Sequence, residues 1–500
     1  MNAEECDGRE TQKTRKKLPR QKRNPIEIAI SSWHRKYAAH RENLHDVSDL
    51  IAQAPRRWTA YGPLVLLPAG SFTSPAWRNI LDSTANSSIL GSTGDNENTS
   101  EDDETSRGPL LLWKTILDEI SGSPTAKLTH LAINEGIPLH SKESSEGTEV
   151  ETGNGESENI LRSPSGLRML YGDFGPSTLS TPTSKSRESA SQPEKLTEED
   201  FKHAFWVSTK QNGIMQTWAP RWTMFSRGNI KEKARLLDFH DPGNSASSPN
   251  HQSGSDLSHR HIPANQRAGA LAVDLYAGIG YFAFCYAALG FRVLCWELNA
   301  WSVEGLRRGA EANRWSVRIV HPPCEPNDKT EQEEEEMLKE VLAGDETIVV
   351  FLEDNTRAAG RMRRLDELTR EREAQRREGN SSDGEGKSDI GLRMSNVMHV
   401  NCGLLPTSRG SWATAWDIAA EAPRAWFHIH ENVGVSDIDG KKEEIHQWFV
   451  ERAGMLAGAG DQTDVCAEHV ELVKTFAPGV WHCVFDLYVK RFPDRTGSIT

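Results

Sequence analysis

Long hydrophobic runs and paired cysteines are both absent from this sequence of 500 residues. No apolar run reaches the roughly 18 residues that a membrane-spanning helix needs, and the N-terminus lacks a signal-peptide core. The 7 cysteines are scattered, without a Cys-x-x-Cys pair or a His/Cys cluster, so neither a zinc site nor a disulfide framework is indicated. We therefore expect a soluble cytoplasmic protein with no metal and no membrane partner.

Large apolar residues are also scarce, since hydrophobic residues make up 36% of the chain. The scarcity is concentrated in stretches rich in Ser, Gly, Glu and Asn, which cannot offset the entropy lost when a chain becomes ordered. These stretches are predicted to be long disordered insertions at 85–107, 140–162, 177–198, 240–267 and 361–395, and the acidic run 321–346 is predicted to be a further insertion.

The net charge of −14 appears unsuited to a nucleic-acid partner until the charges are located. Segments 95–104, 143–158 and 321–346 carry six, six and a net eight negative charges, which leaves +6 on the rest of the chain. We interpret these acidic runs as solvated. The predicted tail 1–24 is basic instead, with Arg15, Lys16, Lys17, Arg20, Lys22 and Arg23. A disordered tail and a nucleic-acid contact or nuclear signal are equally compatible with it.

Three ordered blocks follow from the periodicity and the turn residues. The first, 25–139, has helical patterns at 26–40 and 44–53 and apolar strands at 64–67 and 128–134, which predicts a small N-terminal α+β region. The second, 165–239, is a middle α+β region that begins with a strand at 167–171. The third block, 268–490, is the largest.

Strands and helices alternate in the third block, a pattern that builds a doubly wound parallel sheet. A final pair of strands separated by Pro478-Gly479 reads as a hairpin that adds an antiparallel strand. The predicted fold class is therefore α/β, with a Rossmann-like, seven-stranded sheet of the methyltransferase type. Its strands are predicted at 270–275, 291–297, 347–353, 397–402, 425–430, 469–476 and 481–490.

A glycine-rich turn follows the first of these strands. It begins at Asp274 and contains Gly278 and Gly280, while Glu297 ends the next strand. Glycines allow backbone N–H groups to approach a ligand, and an acid at the end of the second strand can accept both hydroxyls of a ribose. The third glycine of a dinucleotide-binding fingerprint is missing, which favours S-adenosylmethionine, a ligand without a pyrophosphate.

Two further segments are candidates for binding the same ligand. Ser226 is predicted to cap a helix, and together with Lys233 it is placed to bind the carboxylate end of a ligand that lies across the sheet edge. A well-capped linker helix is the alternative. Asp354 and Asn355 follow the third strand, where an acid can accept the exocyclic amine of adenine. Ordinary turn polarity is the alternative there.

Polar residues also end the fourth and fifth strands. The fourth ends at Asn401 without the Asn-Pro-Pro-Tyr motif that amine-directed methyltransferases use. The fifth carries His428 and His430, which share one face of a strand. A strand end, proton handling or substrate hydrogen bonding, and a metal site all remain open for this pair, although no third ligand at metal spacing accompanies them.

Taken together, these motifs resemble the eukaryotic tRNA wybutosine-synthesizing 3-amino-3-carboxypropyl transferases, in a fungal-like form. The matching segments cover about 165–235 and 268–490 apart from the insertions, and the first block matches more loosely at 64–68. They are Tyr171-Gly172-Asp173-Phe174-Gly175, Phe205 to Gly213, Trp218-Ala219-Pro220, Met224 to Asn229, Asp274 to Phe282, Asn401 to Ser408 and His428 to Val433.

The resemblance implies an activity. Members transfer the aminocarboxypropyl chain of S-adenosylmethionine to a carbon of 4-demethylwyosine, the tricyclic base next to the anticodon of phenylalanine tRNA, and release methylthioadenosine. Ser226, Lys233, Glu297 and Asp354 match the family's cofactor-binding positions. A related tRNA guanine methyltransferase and a noncatalytic tRNA-binding protein are the alternatives. No residue is assigned as a general base, and a monomer is expected.

Overall fold

A computed structural model describes residues 23–38, 46–85, 102–122, 127–134, 140–141, 157–159, 161–164, 166–176, 196–240, 257–322, 330–378, 391–456 and 462–492. The chain divides into two compact units, 1–135 with 168–172, and 136–167 with 173–500. The predicted basic tail lies outside the described residues, except for residues 23 and 24. The greater part of each predicted insertion at 85–107, 140–162, 177–198 and 240–267 also lies outside them.

The first unit is built on a four-stranded mixed sheet. In chain order its elements are α1 (Pro25–Ala38), α2 (Val47–Ala52), β1 (Thr59–Tyr61), β2 (Leu64–Pro68), α3 (Pro75–Ala85), α4 (Asp102–Ser121), β3 (His130–Asn134) and, after β4 (His140–Ser141) and β5 (Ser157–Glu158) of the second unit, β6 (Leu167–Tyr171). The sheet has the order β1-β2-β3-β6, with β1 antiparallel and β3 parallel to β2. The short strands β4 and β5 pair with each other.

The core of the first unit is aromatic. Ile26, Ile30 and Trp33 recur at helical spacing along α1, and all three are buried. Trp33 contacts Trp77 with ring centroids 6.1 Å apart, and Phe72 meets Trp77 edge to face at 4.8 Å. Such geometry is favourable because the positive ring edge meets the negative ring face. The predicted small α+β region at the N-terminus is therefore confirmed.

Strand β6 corrects one boundary of the sequence analysis. The sequence predicted a strand here but assigned it to the 165–239 region, whereas residues 168–172 belong to the first unit and β6 pairs with β3. Local periodicity identifies a strand without identifying its partner, because the pairing depends on which sheet edge remains open.

The second unit holds the large sheet. Its elements continue with α5 (Glu198–His203), β7 (Val207–Gln211), β8 (Ile214–Trp218), α6 (Ile230–Leu237), α7 (Ala264–Arg267), β9 (Leu271–Asp274), α8 (Ala283–Ala288), β10 (Arg292–Trp296), α9 (Ala300–Ala312), β11 (Val317–Val320), α10 (Thr330–Ala343), β12 (Ile348–Phe351), α11 (Ala358–Glu378), β13 (Val397–Cys402), α12 (Trp412–Ile418), β14 (Arg424–Gly434), α13 (Ile438–Leu456), β15 (Gln462–Ala477) and β16 (Val480–Phe492). Among the described residues, no helix has the length and apolar character required to cross a membrane.

The large sheet has the order β11-β12-β10-β9-β13-β14-β16-β15. The first six strands in this order, from β11 to β14, are parallel to one another, and β16 is antiparallel to both β14 and β15. All seven predicted strands are present, and the hairpin inserts its second strand between β14 and β15. The additional strand β11 pairs with β12 at the sheet edge. The Rossmann-like sheet of the methyltransferase type is thus confirmed, with eight strands.

Apolar residues cover both faces of this sheet. All four residues of β9 are buried, as expected for a central parallel strand between two layers of helices. On one face Trp296 stacks on Phe351 with ring centroids 4.8 Å apart. On the other face Phe284 and Val293 pack in a second cluster. The carboxyl ends of β9, β10, β12, β13 and β14 therefore meet at one rigid edge.

Two predicted insertions form helices of this core, and a third, 240–267, contributes Ile262, which is buried in the same cluster as Phe284. Residues 330–343 form α10 and 358–378 form α11, which contradicts disorder over those parts of 321–346 and 361–395. Leu338 and Val341 from α10, and Met362 and Leu365 from α11, are buried. The prediction failed because a low average hydropathy hides a few apolar residues repeated at helical spacing.

Some acids of this run are paired with arginines rather than simply solvated. Arg361 reaches Glu334 at 2.9 Å, and Arg364 reaches Glu335 at 2.8 Å. These pairs join α10 to α11, so the charges of one predicted insertion are partners for those of the other. The composition of each segment was considered separately, so these ion pairs between α10 and α11 could not be predicted from it.

Leu338→Ala is expected to destabilise the protein by about 2–5 kcal/mol, because the substitution removes a buried side chain and leaves a cavity. Chemical unfolding followed by tryptophan fluorescence measures the loss. Glu336→Ala on the exposed side of the same helix is the control and should be nearly neutral. Equal stability of the two variants would restore the interpretation of 321–346 as an insertion outside the core.

Candidate functional site

The glycine turn after β9 brings backbone amides to the carboxyl edge of the sheet. Gly278 and Gly280 have φ of +54° and +87°, which glycine adopts without steric cost. A Cβ atom at position 280 would lie 2.5 Å from the Phe284 ring. Packing and backbone conformation therefore both require glycine at 280, and the turn can approach a ligand closely.

Glu297 directly follows β10 and holds this turn in place. One carboxylate oxygen accepts a hydrogen bond from the Gly278 amide at 2.8 Å, and the other accepts one from the Asn299 amide at 2.8 Å. Burial raises the pKa of Glu297, and these amides oppose that rise. Each carboxylate oxygen can accept more than one hydrogen bond, so the group retains capacity for a pair of ribose hydroxyls.

Asp274 lies at the end of β9 beside β13. It is fully buried, and its Oδ1 accepts hydrogen bonds from the Asn401 amide at 2.9 Å and from the backbone of Tyr276 at 3.3 Å. Burial raises its pKa to about 6. The same Asn401 side chain shares a hydrogen bond of 3.2 Å with His430. Asp274 therefore ties the glycine-turn strand to the polar residues of the fourth and fifth predicted strands.

Asp354 and Asn355 follow β12. The Asp354 carboxylate accepts the Thr356 amide at 2.8 Å and is exposed, while Asn355 donates to the Leu275 carbonyl at 2.8 Å. The preceding acid, Glu353, is held by Arg361 at 3.0 Å. Of the two acids, Asp354 thus retains the more accessible carboxylate, and Asn355 fixes the loop against β9.

The Ser226 segment reaches the glycine turn through Tyr281. The Ser226 backbone N–H donates to the Tyr281 hydroxyl at 3.1 Å, and that hydroxyl donates to the Met224 carbonyl. The Ser226 side chain does not cap the following helix, which corrects the sequence prediction. A 3-10 turn at Arg227–Asn229 precedes α6, so Oγ instead donates to Asn229 at 3.3 Å and accepts from Lys474 at 2.7 Å.

Lys233 on α6 is buried among neutral groups. Its ammonium donates to the side-chain oxygens of Gln211 and Gln216, both at 2.6 Å. The rings of Phe225 and Tyr281 lie 5.2 and 5.8 Å from it. Burial lowers the pKa of Lys233 to about 8. An ammonium has three donors, so one N–H remains for a further acceptor.

A buried ion pair anchors α6 to the sheet. Arg235, two residues after Lys233, donates to Asp486 of β16 at 3.0 Å and to Glu232 at 2.6 Å. Burial alone would raise the pKa of Asp486, but Arg235 and His428 hold it well below its ordinary value. The position of Lys233 is therefore set by a carboxylate more than 250 residues away in the sequence.

The two histidines are buried in the sheet. His428 shares a hydrogen bond of 2.8 Å with Asp486, and His430 shares one of 2.9 Å with His482. Burial holds the pKa of His430 well below its usual range, so its ring is neutral. No group of three potential metal ligands occurs among the described residues. The pair thus takes part in internal hydrogen bonds, and its other predicted roles stay predictions.

The structure therefore brings six of the eight predicted ligand-binding residues to the carboxyl ends of β9, β10 and β12, and it connects Ser226 to the same place through Tyr281. Lys233 lies on the following helix, with its ammonium 5.8 Å from the Tyr281 ring. Sequence reasoning missed Gln211, Gln216 and Lys474. The Asn212-Gly213 pair, with φ of +50° and +83°, is a hairpin signal that could have placed the two glutamines close together. Nothing local indicated Lys474.

Comparisons with known proteins add an independent result. No family model matches the chain. The chain is 32% identical over 442 residues to tRNA wybutosine-synthesizing protein 2 of Schizosaccharomyces pombe, covering 88% of this chain and 74% of that protein. It is 27% identical over 457 residues to the protein of the same name in Saccharomyces cerevisiae, covering 89% and 76%. A solved structure of P. horikoshii TYW2 in complex with MeSAdo aligns with a TM-score of 0.44 at 15% identity, covering 92% and 99%.

Proposed function

Since this chain belongs to the tRNA wybutosine-synthesizing protein 2 family, we propose that it is an S-adenosylmethionine-dependent transferase. It transfers the 3-amino-3-carboxypropyl group to a carbon of 4-demethylwyosine, next to the anticodon of phenylalanine tRNA. It releases methylthioadenosine. The proposal further includes a cytoplasmic location and a monomeric state, as the sequence analysis predicts.

The observation that carries this proposal is the connection between the Ser226 segment and the glycine turn. A nucleoside donor with an amino-acid chain needs one site for its adenosine and another for its carboxylate. In this proposal Glu297, which also holds the Gly278 amide, binds the ribose, and the exposed carboxylate of Asp354 accepts the adenine amine. Tyr281 joins that site to Ser226, with Lys233 nearby. These residues therefore offer partners to both the adenosine and the carboxylate of S-adenosylmethionine.

Lys233 gives the strongest test of fit. A buried ammonium is costly unless an opposite charge accompanies it, and its partners are two neutral glutamine oxygens. A bound carboxylate would supply the missing negative charge. We propose that Lys233 and Ser226 hold the carboxylate and thereby fix the chain that is transferred.

Selectivity for that chain follows from orientation. S-adenosylmethionine supplies a sulfonium whose three attached carbons are all electrophilic. By holding both ends of the donor, Glu297 and Lys233 align the aminopropyl Cγ with the base carbon and leave the methyl group out of line. In the transfer, the Cγ–S bond breaks, a C–C bond forms, and the ring proton of the base carbon is lost. We assign no residue as the acceptor of that proton.

Product analysis tests the proposed function. The purified chain is incubated with S-adenosylmethionine and phenylalanine tRNA that carries 4-demethylwyosine. Mass spectrometry of the digested nucleosides should then show addition of an aminocarboxypropyl group, with methylthioadenosine as the second product. Adenosylhomocysteine would indicate a methyltransferase instead. Binding of tRNA without either product would indicate a noncatalytic protein.

A dependence on pH should accompany donor binding. Burial lowers the pKa of Lys233 from 10.5 to about 8 in the free protein. A bound carboxylate favours the charged lysine, so above pH 8 binding requires uptake of a proton, and affinity should fall by up to about tenfold per pH unit. Below that pH this contribution is fully present.

Calorimetric titration at several pH values measures this dependence. The amino group of the donor also titrates near pH 8, but Lys233→Met removes the lysine contribution and leaves that of the donor. The wild-type affinity should therefore decline more steeply than the affinity of the variant. Parallel pH profiles would show that Lys233 does not bind the carboxylate.

A further inference from the structure

Lys474 is the one residue of the β15–β16 hairpin that bonds to the Ser226 segment among the described residues. Its Nζ donates to Ser226 Oγ at 2.7 Å. Its stem lies against Gly228, where an added Cβ would be 2.4 Å from the Lys474 Cδ. The turn after Ser226 is therefore shaped around this lysine, although 248 residues separate the bonded pair.

The charge of Lys474 has no carboxylate partner among the described residues. Its hydrogen bond goes to a neutral hydroxyl, and burial lowers its pKa. Two buried arginines of this unit are paired with carboxylates, Arg235 with Asp486 and Arg260 with Glu468 at 2.7 Å, whereas Lys474, like Lys233, is not. A bound anion would offset the desolvation cost of a half-buried ammonium that lacks such a partner.

The neighbouring groups cannot supply that anion. His482 is paired with Lys474 across the hairpin, and burial together with Lys474 lowers its pKa to about 3, so its ring is neutral. Lys233 adds a second positive charge on the same short segment, 5.2 Å from the Phe225 ring. Lys474 thus bonds to Ser226, and a second ammonium lies near the ring of the preceding residue, Phe225; positive charge at two neighbouring residues suits an anion with more than one oxygen.

We propose that Lys474 is a further binding residue for the donor and, together with Ser226, holds the carboxylate of the aminocarboxypropyl chain. This inference rests on the proposed function. A carboxylate is favoured over a tRNA phosphate because Ser226 is joined to the glycine turn through the Tyr281 hydroxyl, at 3.1 Å. The bond to Ser226 also orders the long lysine side chain in advance, so binding loses less side-chain entropy.

Titration of Lys474→Met with two ligands tests this inference. S-adenosylmethionine carries the carboxylate, whereas methylthioadenosine has the same adenosine without it. The variant should bind S-adenosylmethionine about tenfold more weakly, as expected for a lost charged hydrogen bond, and methylthioadenosine as the wild type does. Lys474→Arg, which keeps the charge, should recover part of the affinity.

Lys490→Met is the matched control, because Lys490 is exposed on β16 of the same hairpin. It should change neither affinity. Equal losses for both ligands in Lys474→Met would assign Lys474 a structural role and overturn the inference. An unchanged donor affinity with a raised KM for tRNA would assign it to a phosphate and overturn the inference as well. A different result would contradict the proposed function itself, namely that the wild-type protein forms no methylthioadenosine.

Discussion

Glu297→Ala is expected to weaken the binding of S-adenosylmethionine and of methylthioadenosine by at least about 100-fold. The substitution removes the acceptor proposed for two ribose hydroxyls, and each hydrogen bond to a charged group contributes roughly 1.5–3 kcal/mol. It also releases the Gly278 and Asn299 amides that this carboxylate holds at 2.8 Å. Both ligands contain the ribose, so calorimetry should record similar losses for both.

Two control variants define what this result means. Glu297→Gln keeps one acceptor oxygen and should retain part of the affinity. Glu311→Ala removes an exposed acid from the end of α9 and should have no effect on binding. An affinity of Glu297→Ala within about twofold of the wild type, a difference below 0.5 kcal/mol, would contradict the assignment of Glu297 to the ribose.

Lys233→Ala is expected to reduce aminocarboxypropyl transfer far more than it weakens binding of methylthioadenosine. Restraint of the carboxylate determines which sulfonium carbon faces the base, so its loss lets the donor rotate without releasing the adenosine. We expect the transfer rate to fall by at least about 100-fold and the affinity for methylthioadenosine to change by less than about threefold. Labelled-donor assays on the modified tRNA and titration with the product supply the two numbers.

In this experiment, a loss of folding stability in Lys233→Ala must be distinguished from a selective loss of transfer. Removing Lys233 leaves the oxygens of Gln211 and Gln216 without their donor, which costs about 1–3 kcal/mol for each buried group that stays unpaired. Lys233→Met fills more of the space and should show the same split between transfer and binding. Lys231→Met, at an exposed position of the same helix, should behave as the wild type. Equal losses of transfer and binding would mean that Lys233 supports only the fold or the adenosine.

Most of the sheet could be predicted because its signals are local. Central parallel strands are short apolar runs, and the turn after β9 contains two glycines at positions with positive φ. The acid that ends β10 is likewise adjacent in sequence to the strand that positions it. For these elements a window of a few residues contains the physical cause of the structure.

The incorrect predictions of insertions arose because the average composition of a segment was used instead of the spacing of its apolar residues. Helices α10 and α11 have a polar composition, yet Leu338 and Met362 each lie at the buried face of a helix. Arg361 and Glu334 neutralise each other across the two helices at 2.9 Å. The composition of one segment shows only its own charges, because it contains no information on ion pairs with residues of another helix.

By itself the sequence determined the Rossmann-like sheet, the glycine turn and the acid beside it, because backbone geometry and apolar periodicity act over short distances. Tertiary structure alone decided that Ser226 bonds to Lys474 instead of capping α6, and that Lys233 lies between two neutral glutamines. Those contacts join separate elements, and no local preference specifies them. The adenosine half of the candidate site could therefore be inferred from motifs, whereas the environment of the carboxylate half appeared only when the strands and helices were packed together.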